Sequence, residues 1–256
     1  ALDFFSKALI IYQQLDEKRG TSFCYNNIGS IHKEKGDFDL AIEFFTKSFK
    51  IKEEAGNQKG MASSLNNIGN TYKDKGDYER SVEFYFKSLK IYEELANKKE
   101  MAVTYNNIAN LYLKTAEKMT SGTKQNKIEQ AKKESLKSLN IALEIGAKDD
   151  IKDAYVTLSQ CDSAVGDFKG AYGYHKLYTE VKDSIFNEES SNQITEMQTK
   201  YETEKKEQQI TLLNKDKELQ DAQLNRQKIV IWSVAGGLFV VLILSIFIFR
   251  ERRKSE

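Results

Sequence analysis

The side chains in this sequence whose types and spacing could do chemistry are amides and ammonium groups on a helical period. Asn66, Asn70 and Lys73 stand at i, i+4 and i+7, which is one face of a helix. The arrangement occurs earlier as Asn26, Ser30 and Lys33, and later as Asn106, Asn110 and Leu113. A carboxamide offers both a donor and an acceptor, so such a row can pair with a main chain whatever side chains that chain carries. The chemistry on offer is recognition. A second asparagine follows each first one, at Asn27, Asn67 and Asn107. It either caps or bridges neighbouring elements or joins the binding row.

Nothing in the sequence points to a reaction. It has no Gly-rich phosphate loop, no cluster with metal-ligand spacing and no nucleophile–base pattern. No catalytic residue, metal or cofactor is therefore expected. The 39 basic and 38 acidic residues nearly cancel, which gives no argument for a nucleic-acid partner. His32 and His175 fall where the repeat described below has aromatic residues, so both read as packing residues. Cys24 and Cys161 lie in repeats that should not touch, and read as buried free thiols. They do not settle the redox compartment.

The elements that must position the amides repeat with a period of 40 residues. Leu65, Ile68 and Tyr72 form the apolar face of one helix; Gly76-Asp77 breaks it; Val82, Tyr85, Phe86 and Leu89 form the face of a second. Tyr25–Gly29, Lys35–Phe38 and Ala41–Phe49 match this unit one period earlier, and Tyr105–Asn110 one period later. A fixed period in this range marks a repeat array. Gly69, Ser81 and Ser88 offer small side chains where two helices can approach closely. One hairpin cannot bury both its faces, so hairpins must stack. Abundant Lys, Glu, Leu and Ile with no proline favours helices throughout.

The order of large, small and aromatic positions at Leu65, Ile68, Gly69, Tyr72, Gly76, Tyr78, Ser81, Tyr85 and Ser88 resembles the tetratricopeptide repeat. The family's proline near the end of the second helix is absent, and the period resembles that of the longer-helix subclass. The resemblance covers about residues 1–184. It implies an all-α fold, a solenoid of antiparallel helix hairpins, with nine helices in that stretch. It also implies that the first-helix face lines a concave groove holding an extended peptide or a partner protein, so that Asn26, Ser30, Lys33, Asn66, Asn70, Lys73, Asn106 and Asn110 become the candidate site.

Taken in order, residues 1–18 read as the second helix of a unit whose first helix is missing, so the sequence reads as a fragment. Repeats follow at about 20–59, 60–99, 100–149 and 150–184. The third carries about ten extra residues within 117–130, read as a solvated loop, a helix extension or a partner-binding loop. The fourth is degenerate, as suits an end cap. Residues 185–193 are polar and read as a linker. Residues 194–228 read as one charged helix of roughly 50 Å. Its thin apolar seam, Ile194, Met197 and Tyr201, then Ile210, Leu213 and Leu224, is interrupted at Glu204 and Gln208. That suits a weak coiled coil pairing two copies through Ile194–Lys228, or a solvated single helix.

Ile229–Phe249 holds 21 residues without a charge. At full helical rise it is about 31 Å long, matching a bilayer core of about 30 Å. Arg250, Arg252, Arg253 and Lys254 follow it, against Arg226 and Lys228 before it. The positive-inside rule then puts the C-terminus in the cytoplasm and the repeats outside, with a single membrane span. Ser233 and Gly237 make a small-xxx-small pair that favours helix pairing.

The order of Lys182–Glu189, Gln198–Glu207 and Leu212–Leu219 ahead of the span and the basic stop is similar to bacterial membrane-anchored sensor histidine kinases with a tetratricopeptide-repeat sensor region. That resemblance implies the input region of a two-component receptor, cut before any kinase motif. A membrane-bound helix-turn-helix transcription regulator and a membrane-tethered interaction scaffold are the alternatives.

Overall fold

The computed structural model describes residues 1–254, apart from the side chains of Ser121, Leu238 and 247–254. The basic run Arg250, Arg252, Arg253 and Lys254 and the aromatic end of the apolar stretch, Phe247 and Phe249, lie outside the described side chains. Among the described residues there are nine helices and no strand. They are α1 (Leu2–Gln14), α2 (Lys18–Glu34), α3 (Phe38–Glu54), α4 (Gln58–Lys75), α5 (Tyr78–Glu94), α6 (Lys98–Glu117), α7 (Ser121–Ile145), α8 (Lys148–Ala164) and α9 (Phe168–Lys254). The chain divides into two compact units, Ala1–Asn187 and Glu188–Glu256.

The first unit is built from hairpins α2/α3, α4/α5 and α6/α7, with α8 and the start of α9 forming a fourth. Each turn has a chemical cause. Asp77 and Asp167 cap the helices after them by accepting from the backbone N–H of Arg80 and Gly170, at 3.1 and 2.9 Å. Gly76 ends α4 at φ 85°, a left-handed conformation open to glycine.

Within a hairpin, a small residue sets the approach. A Cβ added at Gly69 would stand 2.9 Å from the Tyr85 ring, and one at Gly29 would stand 3.0 Å from Phe45. Buried hydroxyls then fix the register. Ser48, Ser88 and Ser138 donate to the carbonyls of Ser22, Ala62 and Ala102 at 2.7–2.8 Å. These are the same bond in three hairpins, and each satisfies a buried hydroxyl that would otherwise cost about 1–3 kcal/mol.

The core is a series of small clusters: Ala41, Phe45 and Ile68; then Tyr85, Leu89, Tyr105, Ile108 and Leu111; then Ala102, Leu139, Ala142, Ile151, Ala154 and Leu158. Most of each cluster comes from neighbouring hairpins, as in a solenoid. Cys24 and Cys161 are buried and free.

The extra residues of the third hairpin are helical. They lengthen α6 to 20 residues and α7 to 25, where α2–α5 have 17 or 18. Ile128 of the extension packs with Leu113, Ala116, Ala131 and Cys161, so apolar burial holds it in place. Residues 185–193, expected as a linker, are helical within α9. His32 stacks on Phe44 at 5.5 Å as a packing residue. His175 does not behave as expected: it is exposed, beside the half-buried Tyr178. Among the described residues no further hairpin covers that face of α9.

In the second unit α9 carries its apolar side chains outward. Ile194, Met197, Tyr201, Ile210, Leu213 and Leu224 are all more than half exposed. One helix among the described residues is long and apolar enough to cross a membrane. Its most apolar window has a mean hydropathy of 2.6 and none of it is buried.

Candidate functional site

The candidate residues lie on the first helices of the hairpins, α2, α4 and α6, and each is half-buried. Half burial follows from their place in the helix. The apolar residues beside them, Ile28, Ile68 and Ile108, are buried, Ile68 in one cluster with Ala41 and Phe45 of α3 and Ile108 in one with Tyr85 and Leu89 of α5, the second helix of the preceding hairpin in each case. Residues one step round the turn then sit at the edge of the contact between successive hairpins.

The structure shows that edge to be a polar ladder. Asn67 Nδ2 donates to Asn26 Oδ1 at 2.9 Å, joining α4 to α2. Thr157 Oγ1 lies 2.9 Å from Asn106 Oδ1 and 3.3 Å from Asn110 Oδ1, joining α8 to α6. The single Thr157 hydroxyl proton has a third acceptor within reach, its own helix's Asp153 carbonyl at 3.0 Å. Between these two rungs the ladder is open. Asn66 Oδ1 is buried and has no hydrogen-bond partner among the described residues.

The remaining candidates are tied more locally. Ser30 donates to the Asn26 carbonyl at 3.1 Å, and Asn110 Nδ2 to the Asn106 carbonyl at 3.0 Å. Asn70 Oδ1 accepts from the buried Tyr85 hydroxyl at 2.7 Å and from Lys73 Nζ at 3.3 Å. Lys33 pairs with Asp74 of the next hairpin at 3.3 Å. Of the second asparagines, Asn67 bridges hairpins, while Asn27 donates to Phe23 of its own helix at 2.8 Å.

Charge accumulates along the same face. Burial holds Lys73 below the usual lysine range, and the positive charges of Lys33 and Lys114 push the same way against the pull of Asp74. A cavity of about 440 Å³ opens beside Asn110, lined in part by Leu113, Lys114, Lys124, Ile128 and Gln160. The lengthened α6 and α7 supply its walls. Among the described residues, no group of three or more His, Cys, Asp and Glu side chains comes together as a metal site would require.

Three residues of this face escape a strict reading of the period. Thr157 stands where Asn67 and Asn107 stand in earlier hairpins, and its hydroxyl makes the same bridge. Lys114 adjoins Leu113, which the period puts in the place of Lys73; Leu113 turns into the core and Lys114 carries the charge. Tyr85 reads from sequence as a core aromatic, and only the fold shows its hydroxyl reaching Asn70. Helical spacing from Asn110 could have found Lys114; nothing local signals the other two.

Comparison with known proteins bears on the fold. The sequence model described as the tetratricopeptide repeat matches residues 1–54 and 60–118. No curated protein matches the chain. Solved structures share the fold at low identity. BtubC from P. vanneervenii is 21% identical with a TM-score of 0.62, covering 72% of each chain. A Podosopora anserina kinesin light chain protein with nearly identical TPR-like repeats is 10% identical with a TM-score of 0.57, over 73% of this chain and 87% of that one. A signal transduction ATPase with a tetratricopeptide repeat sensor from Pyrococcus horikoshii is 17% identical with a TM-score of 0.59, over 75% of this chain and 28% of that one. The protein described here is thus an all-α chain of tetratricopeptide-type repeats that runs on into a long, apolar C-terminal helix.

Proposed function

We propose that the repeats form a concave groove that binds an extended peptide or a partner protein, and that this groove is the input of a single-pass membrane receptor. Tetratricopeptide repeats point to protein–protein interaction. The observation that carries the finer reading is the row of half-buried amides and lysines repeated on α2, α4 and α6. The side-chain oxygens of Asn26, Asn106 and Asn110 are engaged between hairpins, so a peptide's carbonyls and carboxylates would meet amide protons of the row and the further ammonium protons of Lys33 and Lys73, each of which already holds one partner. Burial is the main cause of the low proton affinity of Lys73; the like charges of Lys33 and Lys114 add a smaller push, and an anionic occupant would relieve that part.

On this reading Ile229–Phe249 spans the membrane. The complete exposure of its apolar window supports a lipid-facing segment over the core helix of a soluble protein. The repeats stand outside the cytoplasm, as the basic residues after Phe249 direct. Two copies pair through Ile194–Lys228, and the output belongs to the class of sensor histidine kinases. The Pyrococcus horikoshii protein, whose repeats are called a sensor, is a structural precedent for a repeat array in a signalling chain.

The test uses the full chain in lipid nanodiscs and a random pool of N-acetylated heptapeptides, with captured peptides read by mass spectrometry. Asn66→Ala combined with Lys73→Ala should reduce the captured fraction about tenfold, the effect of roughly 1.4 kcal/mol. Equal capture by the variant and the unmodified chain would remove the groove from the reading.

A further inference from the structure

The hairpins are not joined alike. Four polar ties cross from the first hairpin to the second: Asn67 to Asn26, Lys52 to Ser64, Lys33 to Asp74 and Lys75 to Asp39. Thr157 to Asn106 and Asn110, Lys132 to Asp162, and Ser135 to the Ala154 carbonyl cross from the third to the fourth. Between the second and third, one side-chain hydrogen bond is present among the described residues, from the Tyr105 hydroxyl to Glu93 at 2.7 Å. This is also where the ladder is open at Asn66 Oδ1.

The turn at the same junction is unusual. Gly56 and Gly146 take the left-handed position of the turns before α4 and α8, at φ 64° and 66°. The turn before α6 places Ala96 there, at φ 49°. Asp16 does so before α2 at 51°, but aspartate tolerates that region better than alanine. An alanine held there favours any movement that relaxes it.

What holds the second and third hairpins together is mainly the apolar cluster of Tyr85, Leu89, Tyr105, Ile108 and Leu111. Apolar contact is non-directional, so such surfaces can roll on one another. Hydrogen bonds and ion pairs resist rotation. Within each hairpin the buried serine bonds prevent the two helices from sliding.

We propose that the junction between α4/α5 and α6/α7 is the mechanical joint of the array, at which the groove opens and closes. Strain at Ala96, the unmade Asn66 rung and the single side-chain hydrogen bond, beside which only the Lys118 ammonium over the Tyr78 ring adds a polar contact among the described residues, place the movement there. This rests on the groove reading for its use, since a joint in the middle of the row changes the spacing of Asn66 and Lys73 against Asn106 and Lys114.

The joint is measured without any peptide, so its failure is distinct from failure of the groove. Lys50, Lys90 and Asn140 are exposed and occupy equivalent places on α3, α5 and α7. Spin labels on Lys50→Cys with Lys90→Cys, and on Lys90→Cys with Asn140→Cys, report the two junctions by pulsed electron resonance on the full chain in nanodiscs. The buried native thiols stay unlabelled. The second pair should give a distance distribution about twice as wide as the first. Equal widths, or a wider first pair, overturn the proposal. Tyr105→Phe should widen the second distribution and leave the first unchanged. No widening would mean the joint is held elsewhere, and should that variant fail to fold, the comparison in the unmodified background still decides.

Discussion

A single side chain can be a binding group or a structural bridge, and the three first asparagines divide along that line. Asn26 and Asn106 accept from the next hairpin, whereas Asn66 Oδ1 accepts from nothing described. Their replacement should therefore have unequal effects. Asn26→Ala leaves the Asn67 amide without its acceptor, at a cost of about 1 kcal/mol. In an array of this length that lowers Tm by roughly 2–4 °C. Asn66→Ala removes an acceptor that is already desolvated and unpaired, so Tm should stay level or rise slightly. Thermal melts by circular dichroism settle this. If Asn66→Ala melts as low as Asn26→Ala, the open rung is closed in solution.

At the scale of the element, α4–α6 carry tyrosines whose bodies fill the core. Burial pushes the Tyr92 phenol up to about 12, with the nearby Glu100 charge adding to it, and also raises Tyr85 and Tyr105. The sign follows from which form the fold prefers. The folded state holds the neutral phenol, while an unfolded tyrosine ionises near 10, so this stabilisation is complete below about pH 10. It is lost as pH rises from there through about 12. Urea midpoints taken between pH 9 and 11 should fall for the unmodified chain, and fall less steeply for Tyr92→Phe. A flat profile in the unmodified chain would contradict the burial of these rings.

For the whole molecule, the receptor reading proposed above requires that groove occupancy reach the far side of a membrane. Helix α9 leaves the repeats and continues through residues 188–254 without a proline; its glycines in that stretch, Gly236 and Gly237, lie inside the apolar segment. A helix can transmit a rotation or shift that a flexible linker would absorb. On the proposed pairing of two copies, the seam broken at Glu204 and Gln208 would keep that pairing marginal, and a two-state element needs two arrangements close in energy. If the proposed receptor reading holds, insertion of Gly-Gly-Gly after Gln209 should abolish stimulus-dependent output while leaving peptide capture intact. Regulated output that survives the insertion would make the repeats a docking platform with no helical coupling.

The fold class was legible because a 40-residue period writes the same packing problem several times. Ile68, Gly69 and Tyr85 each recur with a counterpart of like size, as at Ile28, Gly29 and Phe45, and helix spacing with Gly-Asp turns leaves one way to bury them. The apolar run from Ile229 is equally plain as a helix long and apolar enough to cross a membrane, since length and composition alone decide that. The candidate site was legible only as a row of residue types. Which amide is spent in a bridge depends on its neighbour in space, and Asn26, Asn66 and Asn106 look alike in sequence. Thr157 completes a rung from 51 residues beyond Asn106, Tyr85 reaches Asn70 across a hairpin, and the extra residues of the third hairpin become helix because Ile128 finds a buried place beside Leu113 and Cys161. Periodicity determines which face a residue takes. Only the stacking of the hairpins decides what meets it there, because hydrogen bonds form between atoms brought within about 3 Å, a distance no sequence spacing encodes.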